Sequence, residues 1–109
     1  MSDRKLPEYL EAPLDSWTIE YRVHATQRMF RRSIEEKDVK QLLLNGTIIE
    51  AYQTDLPFPS VLINGVSGAN RPLHAVVGID TKSSRLYLIT IYEPAPEKWS
   101  NNYSKRIYP

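Results

Sequence analysis

The sequence predicts one α+β domain in which a helical hairpin packs on a four-stranded, mainly antiparallel sheet, in the order α-α-β-β-β-β. Three observations carry this expectation. Two segments with helical spacing abut between Arg22 and Asn45; four β-rich runs follow Gly46; and the connections between those runs are short. Short connections favour hairpins, and hairpins make neighbouring strands antiparallel. A chain of 109 residues holds one hydrophobic core and leaves little room for another. It divides into an irregular arm (1–16), a core (17–93) and an aromatic tail (94–109).

In the arm, Pro7 and Pro13 interrupt any period. From Trp17 to Tyr21 the residues suit a short strand or a first helical turn equally, because the segment is too short for periodicity to decide. From Arg22 to Arg32, Ala25, Thr26, Met29 and Phe30 recur at the spacing of one helix face, predicted to be the core face. At about 100° per residue, His24, Arg28 and Arg31 fall on the other side. Ser33-Ile34-Glu35-Glu36 has the form of a capping box that starts a second helix. Val39, Leu42 and Leu43 give that helix its apolar face, and Asn45-Gly46 supplies a left-handed stop.

Thr47–Tyr52 is rich in β-branched residues and reads as the first strand, ended by Pro57-Phe58-Pro59. Ser60–Ile63 is the second. Asn64-Gly65, Gly68 and Asn70 provide turn chemistry before the third strand, Leu73–Ile79. After the polar turn Asp80–Ser84 comes the fourth, Leu86–Glu93, which Pro94 and Pro96 stop. The tail carries Trp99, Tyr103 and Tyr108, too aromatic for a loose end; it is expected to pack back on the domain or to mark a partner surface.

Composition narrows the function classes. Apolar residues make up 41% and charged residues 25%, the balance of a folded domain rather than a disordered chain. There is no cysteine, which excludes disulfides and thiolate zinc sites and points to the cytoplasm. No apolar run approaches the roughly 20 residues of a membrane helix, and the first residues lack a signal-peptide core, so no membrane partner is expected. The net charge is +1, too small for the overall field to drive strong nonspecific nucleic-acid binding, and no DNA partner is expected for this chain alone. Arg22, Arg28, Arg31 and Arg32 nonetheless form a local basic cluster.

The side chains that could carry chemistry are few. His24 and Arg28 lie one helical turn apart, an arrangement in which an imidazole can move a proton and a guanidinium can hold a phosphate; a plain solvated basic face is the alternative. His74 lies within an apolar strand, where alternation sets it on one face with Val76 and Gly78. It is either presented to substrate on the open face of the sheet or a core histidine with both nitrogens satisfied. Thr90 and Tyr92 share a face of the last strand, and Tyr52 ends the first; each can orient a phosphate, and each is also an ordinary strand former. Two histidines fifty positions apart, without H-x-x-H, HExxH or a carboxylate cluster, make a poor metal site. No glycine-rich phosphate loop or GxSxG elbow is present. No cofactor and no metal are expected.

Taken together, His24-Ala25-x-x-Arg28-Met29, Ile48-Ile49-Glu50-Ala51-Tyr52, Pro57-Phe58-Pro59-Ser60, Arg71-Pro72-Leu73-His74-Ala75-Val76 and Ile89-Thr90-Ile91-Tyr92-Glu93-Pro94 resemble the bacterial domain-of-unknown-function 4258 family over about residues 21 to 100. That family is similar to RelE-like (MqsR/BrnT-type) toxin domains, small ribonucleases that cut RNA without metal. The resemblance implies a toxin of a toxin-antitoxin pair, an endoribonuclease leaving a 2′,3′-cyclic phosphate, with a zinc-finger antitoxin and with RNA or the ribosome as partners. It further implies catalytic roles for His24, Arg28, His74 and Tyr92, and substrate binding by Arg31, Arg32, Thr90 and Tyr52. One histidine would act as base and the other as acid. RelE-type toxins are often strongly basic and this chain is nearly neutral. The competing expectation is a noncatalytic protein-interaction module.

Overall fold

The computed structural model describes residues 4–68 and 70–107, so Tyr108 of the tail lies outside the described residues. The arm is more ordered than its prolines suggest. Helix α1 (Leu6–Leu10) and a 3-10 turn (Leu14–Ser16) bury Leu6 and Leu14 in the core. Strand β1 (Thr18–Tyr21) resolves the ambiguous segment. Helices α2 (Val23–Arg32) and α3 (Glu36–Asn45) then form the expected hairpin. Strands β2 (Thr47–Tyr52), β3 (Ser60–Val66), β4 (Pro72–Asp80) and β5 (Arg85–Tyr92) follow.

The sheet has five strands, not four, in the order β1-β5-β4-β3-β2. The four strands after the hairpin are antiparallel to their neighbours as expected, whereas β1 adds to the edge of β5 in parallel, Thr18 pairing with Arg85. A short helix and a strand therefore precede the hairpin, so the order is not the expected α-α-β-β-β-β. At the opposite edge the arm lies against β2, where the Ile48 amide donates to the Arg4 carbonyl at 2.7 Å.

Local signals were partly misplaced. Ser33 does not cap α3; it closes α2 in the left-handed region (φ 55°), and the capping box of α3 uses Glu35 and Asp38. Gly46 has φ −72° and so does not stop α3 by left-handed geometry. It is needed because a Cβ there would lie 2.6 Å from the Leu42 carbonyl oxygen and 2.7 Å from Ile63. Asn64 and Gly65 continue β3, and the chain reverses at residues 67–71 instead, where the Ser67 amide donates to the Arg71 carbonyl and Asn70 takes φ 58°. On α2 the core face is only Ala25 and Met29; Thr26 and Phe30 are exposed.

Directly opposed residues of antiparallel strands share a face. Val61 and Ile63 with Ala75 and Val77 point toward the helices, joining Val39, Leu42 and Leu43 in the core. A bulge in β5 keeps both of its halves in phase. Val77 pairs with Leu88 and Val76 with Thr90, so Ile89 is the extra residue. Leu88 and Ile91 consequently both point inward, while Tyr87, Thr90 and Tyr92 point outward with Gly78, Val76 and His74.

The tail turns back as a small hairpin of β6 (Trp99–Ser100) and β7 (Lys105–Arg106), which covers one end of the outer face. The Asn64 side-chain amide holds it there through the Asn102 carbonyl at 3.0 Å. Arg71 ties the same end to the helices: its guanidinium pairs with Glu93 at 2.7 Å and donates to the Arg32 and Ser33 carbonyls that end α2.

Candidate functional site

The outer face of the sheet presents its two ends differently. At one end His74 is fully buried, because Trp99 and Tyr103 of the tail lie over it. Alternation correctly assigned its face; of the two alternatives, the imidazole open to substrate is overturned by the tail, and the buried histidine with both nitrogens engaged is the one found. Its Nε2 lies 2.8 Å from the Tyr103 carbonyl oxygen, which can only accept, so Nε2 carries the proton. Nδ1 is then the acceptor for the Tyr92 hydroxyl at 3.2 Å. Trp99 meets the imidazole edge-on, ring centres 4.4 Å apart. Burial pushes the His74 pKa down; the Tyr103 carbonyl and nearby Glu50 oppose that push, and Arg106 adds to it.

A clasp closes over this cluster. Arg106 lies 4.8 Å above the Trp99 ring and donates to both Glu50 carboxylate oxygens, at 2.7 and 3.2 Å. The Tyr52 hydroxyl donates to the same carboxylate. Arg106 and then Tyr52 hold the Glu50 pKa below its ordinary value, and burial raises those of Tyr52 and Tyr92. Of the sequence-predicted residues, Tyr92 thus bonds His74 directly, while Tyr52 bonds Glu50 in the clasp.

The other end is open. A cavity of about 380 Å³ is lined by Arg22, His24, Asp55, Phe58 and Tyr87, with Gly78 at its floor. The Phe58 and Tyr87 rings stack with centres 5.3 Å apart and planes 4° from parallel, and the Arg22 guanidinium lies 4.5 Å over Tyr87. His24 is exposed in the first turn of α2, and the Asp55 carboxylate accepts the Ser60 hydroxyl at 2.6 Å. Gly78 and His74 are four residues apart on β4, so the two ends are separated by about 13 Å along the strand. Thr90 lies between them, opposite Val76.

The two histidines therefore do not share a site: His74 projects from β4 beneath the tail, and His24 borders the open cavity from α2. Arg28, Arg31 and Arg32 line neither the cavity nor the His74 cluster. The residues overlooked in the sequence are Tyr87 beneath Arg22, Phe58 stacked on Tyr87, the cavity carboxylate Asp55, and the tail residues Trp99, Tyr103 and Arg106. Tyr87 stands opposite Gly78 across β4 and β5, a register that neither strand reveals by itself. Another groove, of about 570 Å³, lies where Asn45, Gly46, Asn64 and Tyr103 meet. Although larger, it has no His, Asp, Glu, Lys or Arg in its lining and so offers less to acid-base chemistry. Among the described residues, no three of His, Asp and Glu gather as a metal-holding group, and no helix is long and apolar enough to cross a membrane.

A mixed α+β domain with one five-stranded sheet, an open cation-aromatic cavity and a sealed histidine is thus defined. The model of the family described as Domain of unknown function (DUF4258) matches residues 21–93, and the chain belongs to that family. The matched span contains both histidines, whereas Trp99, Tyr103 and Arg106, which close over His74, lie beyond it. No curated protein and no solved structure matches the chain.

Proposed function

We propose that this domain is a RelE-like, metal-independent endoribonuclease, the toxin of a toxin-antitoxin pair, that engages single-stranded RNA at the His24 end of the sheet. The observation that carries the reading is the cavity itself: a guanidinium, an imidazole, a carboxylate and two stacked aromatic rings line one open space. Single-stranded RNA is held by stacking of bases on aromatic rings together with cations along the backbone. Arg22 would hold the phosphate and Tyr87 with Phe58 an adjacent base. The Asp55 carboxylate would take the proton of the 2′-hydroxyl as that oxygen attacks phosphorus. His24 would give a proton to the departing 5′ oxygen, leaving a 2′,3′-cyclic phosphate and a 5′-hydroxyl. His74 then supports the sheet rather than the reaction, since both ring nitrogens are engaged.

The test is cleavage of a single-stranded oligoribonucleotide, and of mRNA on translating ribosomes, in chelator with mapping of product ends. The expected products carry 2′,3′-cyclic phosphate, and His24→Ala loses about 10²-fold or more in rate. RNA left intact in both settings sinks the enzyme. The reading that replaces it is a noncatalytic interaction module, favoured by the fact that His74 is closed off and hydrogen-bonded on both sides.

A further inference from the structure

Helix α2 turns its largest apolar side chain to solvent. Phe30 is 87% exposed and Val23 73% exposed, although burying such side chains is worth roughly 1.5–3 kcal/mol each. With Ala25 and Met29 toward the core, a turn of about 100° per residue puts Gln27 at the outward crest. Val23 and Phe30 lie along one flank of that crest, and His24, Arg28 and Arg31 along the other. Val23 and Phe30 are two turns apart, about 10 Å, the spacing at which helical recognition surfaces place successive anchors.

Along the helix itself the charge has one sign. Arg22, Arg28, Arg31 and Arg32 are the only charged residues from Arg22 through Ile34. Among the described residues, none of the four joins an ion pair. A second copy of the chain is a poor occupant, because a two-fold pairing through this helix sets arginines against arginines. Nucleic acid would satisfy the cations and leave two convex apolar side chains unexplained.

We propose that the outward crest of α2 docks an acidic amphipathic segment of a protein partner. Apolar side chains of the partner cover Val23 and Phe30, and its Asp or Glu side chains meet Arg28 and Arg31. This surface does not depend on whether RNA is cut, since it is the crest of the helix rather than the cavity beside it.

The experiment titrates the isotope-labelled full chain with three probes, followed by backbone amide shifts. They are a synthetic helical peptide of about 15 residues with a leucine stripe flanked by glutamates, the same peptide with lysines for glutamates, and oligouridylate. The acidic peptide is expected to shift amides 23–31, and Phe30→Asp and Arg31→Glu are each expected to weaken it by about tenfold or more. Both positions are exposed, so thermal melts should stay near wild type and a loss of binding is not a loss of fold. The proposal is overturned if the acidic and basic peptides bind alike, if Phe30→Asp changes nothing, or if millimolar acidic peptide leaves the crest unshifted. A response of the crest to oligouridylate alone overturns it in favour of nucleic acid. A solution dimer that Phe30→Asp dissolves overturns it in favour of self-association.

Discussion

His74 projects from the outer face of strand β4 and His24 from the first turn of helix α2, and they live in opposite surroundings. His74 has a partner on each ring nitrogen, an indole against its edge and no contact with solvent. His24 is open to water, beside a cavity that also holds a guanidinium and a carboxylate. The difference teaches that alternation in a strand identifies a face and says nothing of what covers it. Here a segment 25 to 29 residues further along the chain, Trp99 to Tyr103, decides which histidine is accessible.

The sharpest way to break the contrast is paired substitution. His74→Ala leaves the Tyr92 hydroxyl and the Tyr103 carbonyl without their partner and opens a cavity beneath Trp99, so a loss of about 2–4 kcal/mol in stability is expected. At about 4–8 °C per kcal/mol for a domain of this size, thermal denaturation should show a drop of 10 °C or more. His24→Ala should stay within about 0.5 kcal/mol of wild type. Equal losses at the two positions would erase the distinction.

The pH dependence should also separate them. Folding lowers the His74 pKa, so between the folded and unfolded values the unfolded chain binds more protons. The stability that neutral His74 contributes is fully present above the unfolded value of about 6.5. It declines as pH falls below that value, until folded His74 itself protonates. Melting curves recorded from neutral to mildly acidic pH should show this slope, and a His74→Gln variant should flatten it. A wild-type melting point that does not change across that range, or a slope that survives the substitution, would argue against the buried neutral imidazole.

Smaller effects sharpen the account of the seal. Tyr92→Phe removes one hydroxyl from Nδ1 and should cost about 1 kcal/mol, measurable by denaturant unfolding. Arg106→Ala opens the clasp on Glu50. Because the Arg106 side chain is about half exposed, with a relative accessibility of 48%, the loss should remain below about 1 kcal/mol. Faster hydrogen exchange in β6 and β7 should accompany it. Unchanged exchange there would mean that Trp99 and the bonds from Asn64 and His74 hold the tail without the clasp.

Much of the fold was legible because its signals are local. The β-branched run Thr47–Tyr52 is a strand with the expected bounds, and the strands after it were displaced by only a few residues. Both helices of the hairpin follow from their periodic apolar residues. What failed depended on distant partners. Thr18–Tyr21 becomes a strand by pairing with residues 85–88, a pairing that four residues cannot announce. Phe30 fits the helical stripe by spacing, but nothing local records that its flank of α2 meets no other element. Gly46 looked like a stop signal, whereas its requirement comes from the approach of Leu42 and Ile63. The site followed the same division. His24 and its helix were visible in sequence; the Arg22–Tyr87 contact and the cover over His74 were not, since each joins segments far apart in the chain.

The parallel placement of β1 bears on the order in which the chain can finish its structure. Loop closure must precede any contact between segments so far apart, and β1 gains its ladder only once β5 exists beside it. The hairpins from β2 to β5 close over short distances and can assemble without waiting for β1. During synthesis, β1 and α2 leave the ribosome well before their main neighbour in the sheet is made. The edge strand is therefore the last piece of the sheet to be secured, because Thr18 waits for Arg85, its partner 67 residues further along.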